Sequence, residues 1–494
     1  MIGAAWLMAA CAVGPDYQKP EVVIPTSFKE GVDWQRAQVN PQASLSSTWW
    51  LDYNDPKLTE LIEQSFKANQ SIAQAEAAYR LAQATVEASR ASFFPTIGAE
   101  AAGTRVGFGS GAAQLQYGSS ALSGAYNTIN VNATASWELD LWGQFRRELE
   151  SSKASAQASD AQLAGERLSI AASIATDYFE LRQADIDIDL LKQQEQIDSR
   201  ILEMTRASYT RGISSSDDVL NAQDTLELVV ALLQSTQTSR EQDEHAIAVL
   251  IGVPPGNFSL EPNVDYAFAA PAVPLALPSQ LLERRYDVVS AERTAAAANA
   301  KIGVAEAAFF PTLTLSAEGG FEHNALANLF MVPNRFWTLG PTLAGTIFDG
   351  GARTAAVHEA RATYDEDVAA YRQAVLGAFE NVEDSLSSWN HLQQQQDAYA
   401  KIYQRNQQLF SSEHAQFTIG TASEQDLLNQ QLTLLTAREN LVDTQALLTE
   451  ASVVLIKNLG GGWQWDDASG HAANAVASAA QAPVAASGST LAPQ

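Results

Sequence analysis

The chain of 494 residues carries 30 lysine and arginine residues against 57 aspartate and glutamate residues, which gives a net charge of -27. Nucleic acids and anionic membrane surfaces bind basic faces, so this charge balance argues against both as partners. Apolar residues make up 46% of the chain, which excludes a wholly disordered protein. A single cysteine excludes an internal disulfide and a cysteine-based zinc site. No run of about 18 apolar residues occurs, so we expect no membrane-spanning helix.

The beginning of the chain indicates a secretion signal that ends at this cysteine. Residues 1–10 form a short apolar run that ends in small residues, and Cys11 follows directly. Secreted lipoproteins are processed at such a point, so we predict that residues 1–10 are a signal peptide and that Cys11 carries covalent lipid. The alternative is a free thiol near the terminus. The run lacks a basic residue and is shorter than the usual length of about 15–30 residues, so we expect that its start is truncated.

The chain contains two copies of one unit. The segment 209–223 (YTRGISSSDDVLNAQ) recurs as 417–431 (FTIGTASEQDLLNQQ), and Phe93-Phe94-Pro95-Thr96 recurs as 309–312. An ordered series of matches at nearly one offset indicates a tandem duplication. We therefore predict five segments: a signal peptide over 1–10, a lipidated N-terminal arm over 11–56, repeat 1 over 57–265, repeat 2 over 266–462, and a disordered Ala/Ser/Pro tail over 463–494.

Alternating segments predict a β-hairpin in each copy, at about 95–142 and about 311–349. Residues 129–142 alternate strictly between apolar and polar side chains, as in a long strand with one apolar face. A soluble antiparallel sheet alternates in the same way. Membrane-spanning strands of about 9–11 residues fit the length better, as does the clustering of aromatic residues at one end. These aromatic residues are Phe93, Phe94, Trp137, Trp142, Phe309, Phe310 and Phe348.

The number of strands predicts a barrel that is shared between chains. Four strands cannot close a barrel, and an open sheet edge is not tolerated in lipid. Two chains would supply about eight strands and three chains about twelve, and the count alone does not decide between them.

Long helices are predicted between the hairpins and the ends of the copies. Proline is absent between Gly143 and Tyr209 and between Gly351 and Phe417, which predicts helices of about 65 residues, or about 100 Å. A first helix is predicted to run without a break from Leu58 past residue 86, with coiled-coil spacing of apolar and small residues. Polar residues cover most of these helices, which suits a wall wetted on both sides. An ordinary helical bundle or a rod-like scaffold has the same pattern.

The chain resembles TolC-type outer-membrane factors, in the lipoprotein branch associated with resistance–nodulation–division pumps. The resemblance covers residues 11–462, with Tyr286 where the family usually has proline. The motifs that carry it are Gly14-Pro15-Asp16-Tyr17, Trp49-Trp50, Asp55-Pro56, Leu277-Pro278-Ser279, Arg284-Arg285, Phe309-Phe310-Pro311 and Phe348-Asp349-Gly350-Gly351.

The resemblance implies a mainly α fold with a membrane β-barrel. Three chains would form a twelve-stranded barrel, with four strands per chain, continued by a long α-helical barrel in the periplasm. It implies a lipid-anchored location in the outer membrane, and as partners a periplasmic adaptor protein and an inner-membrane resistance–nodulation–division pump.

The implied function is the exit duct of a tripartite efflux pump, which passively conducts small molecules to the exterior. Two alternatives remain open: an exit duct for type I protein secretion, and a lipid-anchored periplasmic coiled-coil scaffold without a pore. Metalloprotease, serine-hydrolase and nucleotide-binding motifs are absent, so we expect no enzyme activity, no metal and no cofactor other than the lipid on Cys11.

The breaks after the long helices, at Gly212 and Gly420, are predicted to form the periplasmic tip that contacts the adaptor, together with Tyr209 and Phe417. Acidic residues follow each break, and in a three-fold tube each would form a ring that favours cations. Helix starts also favour acidic residues, so capping is the alternative. The acidic gate position of the family aligns near Ala422, and the resemblance makes Glu424 its nearest substitute. The candidate ring residues are Asp217, Asp218, Glu424 and Asp426.

Overall fold

The structure is a computed structural model that describes residues 12–25, 28–29, 46–109, 124–273, 284–466 and 471–473. Its contacts divide the chain into two compact units, which we describe separately. Unit 1 comprises residues 1–21, 79–158 and 291–371, and unit 2 comprises residues 22–78, 159–290 and 372–494.

Seven α-helices occur in the described residues: α1 (Pro56–Ala68), α2 (Gln70–Ala91), α3 (Gln144–Thr210), α4 (Ser216–Leu250), α5 (Tyr286–Ala307), α6 (Ala352–Thr418) and α7 (Glu424–Asn458). The two long helices, α3 and α6, have 67 residues each, as the absence of proline predicts. Both begin after a glycine with positive φ, Gly143 or Gly351. None of these helices combines the length and the apolar content that crossing a bilayer requires.

The long helix and the helix after it begin and end 208 residues later in the second copy than in the first, and α5 follows α2 by 216 residues. Gln144 and Thr210 bound α3, and Ala352 and Thr418 bound α6; α4 and α7 show the same offset. The duplication that the sequence indicates is therefore preserved in the backbone.

The prediction of one continuous helix from Leu58 past residue 86 is wrong, because the chain breaks between α1 and α2. Asn69 has extended backbone, with ψ of 131°. Its side-chain oxygen accepts from the Ile72 amide (3.0 Å), and its side-chain nitrogen donates to the Leu250 carbonyl (2.8 Å). Asn69 thus caps α2 and connects this break to the end of α4.

One antiparallel sheet contains β1 (Thr96–Phe108), β2 (Gly124–Leu139), β3 (Thr312–His323) and β4 (Arg335–Ala344), in that order across the sheet. The strands have 13, 16, 12 and 10 residues. Each therefore reaches the length of about 9–11 residues that a membrane-spanning strand needs.

The strand predicted at 129–142 is displaced, because β2 begins at Gly124 and ends at Leu139. The Asp140 carboxylate accepts from the backbone amides of Phe145 (3.2 Å) and Arg146 (3.1 Å), which turns the chain out of the sheet toward α3. The second hairpin, predicted to extend to about 349, likewise ends early, since β4 ends at Ala344.

The predicted disorder of 463–494 is wrong for two short segments. Strand β5 (Gln464–Asp466) pairs antiparallel with β6 (His471–Ala473). Trp463, just before β5, packs with Tyr286 against buried Ala161 and Val289. This apolar contact fixes the start of a segment whose composition is otherwise typical of disorder. Residues 467–470 and 474–494 lie outside the described residues.

In unit 2, α3 packs against both of its neighbours. Ile186, Leu190 and Ile197 of α3 form a buried cluster with Leu435 and Val442 of α7. A second buried cluster joins Leu191 of α3 to Val229 and Leu233 of α4. The wide apolar stripe of α3 is thus divided between two partner helices.

The single glycine inside each long helix allows a matched test of packing. A Cβ atom on Gly165 would lie 2.2 Å from the Tyr286 ring, whereas a Cβ on Gly377 meets nothing within 4 Å. We expect Gly165→Ala to lower the midpoint of thermal unfolding, because the clash is with ring atoms close to the Tyr286 backbone. Gly377→Ala should not lower it, and should stabilise α6 by up to about 1 kcal/mol. Circular dichroism melting of the purified protein measures both, and equal effects would contradict this packing.

Candidate functional site

The sheet in unit 1 has one apolar face. Directly paired residues share a face, and one row of pairs runs Ile97, Ala135, Ala317 and Leu339 across all four strands. Leu339 is 72% exposed in the single chain, so this face lacks a partner within it. The face comprises Ile97, Ala99, Ala101, Ile129, Val131, Ala133, Ala135, Trp137, Leu139, Leu313, Leu315, Ala317, Phe321, Trp337, Leu339, Pro341 and Leu343.

The opposite face of the same sheet is polar. Asn132 is buried on this face, and its side-chain nitrogen donates to the Glu318 carboxylate on the neighbouring strand. A sheet with this division suits lipid on one side and water on the other. The polar residues of this face are Thr96, Glu100, Thr104, Thr128, Asn130, Asn132, Thr134, Ser136, Glu138, Thr312, Thr314, Ser316, Glu318, Glu322, Thr338 and Thr342, and Ala102, Val106, Tyr126 and Phe336 share it.

The apolar face has aromatic residues at one end and polar residues at the other. At one end the Trp142 ring stacks on Phe310 with 4.6 Å between centroids, and its nitrogen donates to the Pro311 carbonyl (2.8 Å). The Trp137 nitrogen donates to the Phe93 carbonyl (3.0 Å) at the same end. This hydrogen-bonded aromatic cluster resembles the girdle at a membrane–water interface. At the other end the face becomes polar, with Arg105, Asn127, His323 and Arg335.

The two predicted tips in unit 2 are closed by the same turn. Gly212 and Gly420 have φ of +70° and +77°, which favours glycine. After them, the amides of Ile213 and Thr421 donate to the carbonyls five residues earlier in the chain, each at 2.9 Å. This pattern is a Schellman helix end.

Apolar side chains are exposed at both tips. The predicted residues Tyr209 and Phe417 are 50% and 39% exposed, and Ile213 and Ile419 are 76% and 75% exposed. The sequence analysis missed the two isoleucines. The signal was present, since each lies beside the turn glycine, but such a residue usually packs on its own helix.

The four candidate ring residues fall into two kinds. Asp218 accepts from the Ser215 amide while Ser215 accepts from the Asp218 amide, and Ser423 and Asp426 repeat this capping box. Asp217 lies exposed in the first turn of α4 and accepts from the hydroxyl of Ser216. Two of the four carboxylates therefore have the capping role that was the alternative to a ring, and the ring itself remains a prediction.

Glu424 has a different partner. The Arg200 guanidinium donates to both of its oxygens, at 2.8 and 3.2 Å, and so joins α3 to α7. Arg200 also donates to Glu203 (2.6 Å). The Arg200 contact lowers the pKa of Glu424, so the carboxylate stays charged well below neutral pH. Sequence analysis missed Arg200, because nothing in the sequence relates it to a residue 224 positions away.

Seven carboxylates gather where α3, α4 and α7 meet, and sequence analysis missed them as a group. A cleft of about 410 Å³ lies between α3 and α4, and Glu180, Asp187 and Asp243 are among the residues that line it. On the α7 side, the Gln183 side chain donates to Asp443 (2.9 Å). The carboxylate cluster comprises Asp177, Glu180, Asp187, Asp243, Glu439, Asp443 and Glu450.

Burial raises the pKa of these carboxyl groups above the ordinary range. The pKa is raised to about 7 for Asp177, Asp187 and Glu450, and to about 6 for Asp243. Desolvation is the largest cause and neighbouring carboxylates add to it. Across the part of the chain that the structure describes, no group of three or more His, Cys, Asp or Glu side chains has the arrangement of a metal site. Cys11 lies outside the described residues.

A sheet with one unpartnered apolar face, joined in each copy to a 67-residue helix that ends in a closed tip, has the architecture of an outer-membrane channel. The chain belongs to the outer membrane efflux protein family, which matches residues 61–253 and 277–461.

Three comparisons illustrate the relationship. The chain is 28% identical over 461 residues to the probable efflux pump outer membrane protein TtgC of Pseudomonas putida, covering 93% of this chain and 94% of that protein. It is 30% identical over 455 residues to nodulation protein T of Rhizobium leguminosarum bv. trifolii, covering 90% and 91%. The structure of the outer-membrane channel OprN matches with a TM-score of 0.78 and 27% identity, covering 91% of this chain and 99% of that one.

The carboxylate cluster predicts an unusual dependence of stability on pH. A carboxyl group whose pKa is raised by folding keeps its proton in the folded state at pH values where the unfolded chain has lost it. The free energy of unfolding should therefore fall as pH rises from about 4 to about 7. We expect the thermal midpoint to fall between about pH 5 and about pH 8, and the double variant Asp187→Asn and Glu450→Gln to reduce that fall.

The control removes the same number of negative charges elsewhere in unit 2. Glu241→Gln with Asp265→Asn alters two exposed carboxylates outside the cluster, and should leave the pH dependence as in the parent. A fall in midpoint that is the same in both double variants would contradict the role of the cluster.

Proposed function

We propose that the protein is the exit duct of a tripartite efflux pump, passively conducting small molecules from a periplasmic pump–adaptor complex to the exterior. The observation that carries this proposal is the sheet, apolar and unpartnered on one face and polar on the other. In this reading the apolar face contacts outer-membrane lipid and the polar face lines a water-filled passage. Energy is supplied by the inner-membrane pump, so the duct itself needs no catalytic site or cofactor.

The working unit in this proposal is a homotrimer. Strands β1 and β4 are the outer strands of the sheet, and each pairs with one neighbour among the residues that the structure describes. Lipid does not tolerate unpaired backbone groups, so each edge must pair with another copy. Three copies would give a closed barrel of about twelve strands, within the range of membrane barrels. Lipid on Cys11 would add a second attachment to the outer membrane.

The relatives favour small-molecule efflux over protein secretion. Similar proteins carry the names antibiotic efflux pump and toluene efflux pump outer membrane protein. A periplasmic scaffold without a pore would have no use for an apolar sheet face of this size. At the other end of the long helices, Tyr209, Gly212, Phe417 and Gly420 are proposed as the adaptor contact, and the acidic residues near them as the gate.

Adjacent residues on β4 test both the membrane face and the duct. Leu339 lies on the apolar face and Thr338 on the polar face, in the row of Thr134 and Glu318. We expect Leu339→Arg to prevent assembly of heat-resistant oligomers, because arginine near the bilayer midplane costs about 2–4 kcal/mol. Thr338→Arg should assemble normally and shift the selectivity of single channels in planar bilayers toward anions. Equal assembly of the two variants would refute the facing, and a parent protein without conductance would refute the duct.

Opposite charge changes at the tip test the gate. In the proposed ring, Glu424→Gln removes a negative charge and leaves Arg200 with less compensation, so cation preference should decrease. Arg200→Met leaves the Glu424 charge without this partner, so cation preference should increase. Asp217→Asn should act in the same direction as Glu424→Gln. Reversal potentials in a salt gradient measure the cation preference of all three variants. Unchanged values would mean that these residues only cap helices and pack at the tip, and do not form a gate.

A further inference from the structure

The segment that follows Cys11 is bound along its backbone in unit 1. Between Ala12 and Tyr17, the Val13 amide donates to the Trp142 carbonyl (3.0 Å). The Arg147 guanidinium donates to the carbonyls of Val13 (3.2 Å) and Gly14 (3.1 Å). Successive backbone groups of an irregular segment are thus held by fixed donors and acceptors, in the manner of a bound peptide.

Arg147 is the central residue of this contact. Its side chain is only 6% exposed, although it lies in the first turn of a helix. The same guanidinium donates to Asp16 of the segment (2.8 Å) and to Glu150 of its own helix (2.8 Å). A planar guanidinium can serve several acceptors in one fixed geometry, which lysine cannot do.

Helix α5, from the second copy, provides the other wall. The side-chain nitrogen of Asn299, itself 4% exposed, donates to the Pro15 carbonyl (3.0 Å). The Tyr17 hydroxyl donates to Glu292, and the Arg293 guanidinium lies 5.9 Å from the centre of the Tyr17 ring. Because α3 and α5 belong to different copies, the segment binds only a chain in which both copies are folded.

Glycines make room for this segment. Gly14 has φ of +97°, and a Cβ atom on it would lie 2.4 Å from the Gly303 backbone. A Cβ on Gly303 would lie 2.7 Å from the Val13 carbonyl oxygen, and one on Gly143 would lie 2.7 Å from the Ala12 Cα. The fit therefore depends on close backbone approach as well as on hydrogen bonds.

We propose that these residues form a dock for the protein's own N-terminal segment, which holds the lipid-bearing residue at the aromatic end of the sheet. We define the N-terminal dock as Trp142, Gly143, Arg147, Glu292, Asn299 and Gly303. Cys11 directly precedes Ala12 in the sequence, so a lipid on Cys11 would be attached next to the docked segment. This inference rests on the proposed lipidation of Cys11, and it assigns Arg147 as a positioning residue for that lipid.

The dock changes what the lipid can do. A lipid on a long free tether explores a large volume, so it adds little to the retention of the barrel. A lipid whose attachment point is fixed beside the interfacial aromatic residues enters the same patch of bilayer as the sheet, at high effective concentration. Lipid and sheet then act as one anchor, and loss of the dock separates them.

A double-mutant cycle between Cys11→Ser and Arg147→Met tests the proposal on the full-length, membrane-assembled protein. The measurement is the half-life of the heat-resistant oligomer in detergent. In the lipidated protein, we expect Arg147→Met to shorten the half-life by about tenfold. In the Cys11→Ser background, the same Arg147→Met substitution should shorten it by less than about twofold. A structural role alone would give the same loss in both backgrounds, and that result would overturn the proposal.

Two further variants keep the result interpretable. Arg353→Met removes the equivalent charge at the start of α6, where the arginine pairs with Asp349, and should show no coupling to Cys11→Ser. If Arg147→Met fails to assemble, Asp16→Asn combined with Tyr17→Phe weakens the dock from the segment side and should show the same coupling. Additive behaviour in that variant would overturn the proposal equally.

Separate readouts distinguish the dock from the lipidation. Metabolic labelling with a fatty-acid probe should give equal signal in the parent, Arg147→Met and Arg353→Met, and no signal in Cys11→Ser. An unlabelled parent would refute lipidation. A nitroxide on Gln18→Cys, in the Cys11→Ser background, should be immobilised in the parent dock and mobile with Arg147→Met. A label equally mobile in both would refute the dock itself.

Discussion

The sheet sets the main constraint on this molecule, because within the described residues it leaves one apolar face and two strand edges without partners. Leu339 and Trp337 are more than two-thirds exposed at 72% and 78%, and β1 and β4 each lack a second neighbour. Exposed apolar area of this size is unfavourable in water, and unpaired strand edges are unfavourable in lipid. A lipid bilayer would cover the exposed apolar face, and additional copies of the chain would pair the strand edges. In the proposed homotrimer, membrane insertion and oligomerisation are therefore coupled, because neither alone relieves both problems.

The duplication preserved the backbone more closely than the polar contacts. In the first copy, Asp185 is fully buried and accepts from Arg182 (2.9 Å), from Arg240 (2.7 Å) and from the Asn263 amide (2.9 Å). The residues 208 positions after these three side chains are neutral: Gln393, Asn390 and Leu448. Buried charges need several partners to offset desolvation, so such a network persists only where it has a task. Here it binds the irregular chain at the end of repeat 1, since both arginines also donate to carbonyls at Leu260 and Glu261.

Local patterns in the sequence predict what local interactions determine. The absence of proline predicts α3 and α6, and the turn glycines Gly212 and Gly420 predict their ends, because helix propagation and termination depend on neighbouring residues. The alternation around Trp137 predicts a strand but overestimates its end, since Asp140 captures the backbone there. Asn69 lies within the coiled-coil spacing, so the sequence predicts a helical residue there. The helix breaks at Asn69 because its side chain binds the Leu250 carbonyl, far away in the sequence.

Contacts between distant segments lie beyond such patterns. The pairing of Arg200 with Glu424 and of Arg147 with Asp16 depends on how helices and loops pack, and no spacing rule relates these residues. The carboxylate cluster is a similar case, because each acidic residue alone resembles an ordinary solvated position. The family resemblance fixes the architecture in which these residues meet. It does not identify them, because none of the motifs that carry the resemblance includes Arg147, Arg200 or a cluster carboxylate.

The distribution of charge connects these observations. A net charge of -27 means that nearly half of the 57 acidic residues have no lysine or arginine to pair with. Four arginines with several acceptors lie at junctions: Arg147 at the N-terminal dock, Arg182 and Arg240 at the end of repeat 1, and Arg200 between α3 and α7. The remaining carboxylates occupy polar surfaces, including the polar face of the sheet at Glu318. Assembly of several copies would multiply their repulsion, which is strongest at low ionic strength. Protonation of Asp177, Asp187 and Glu450, whose pKa values are raised to about 7, relieves part of that repulsion without any counter-ion. In the proposed duct, polar surfaces with such an excess of carboxylates favour cations over anions.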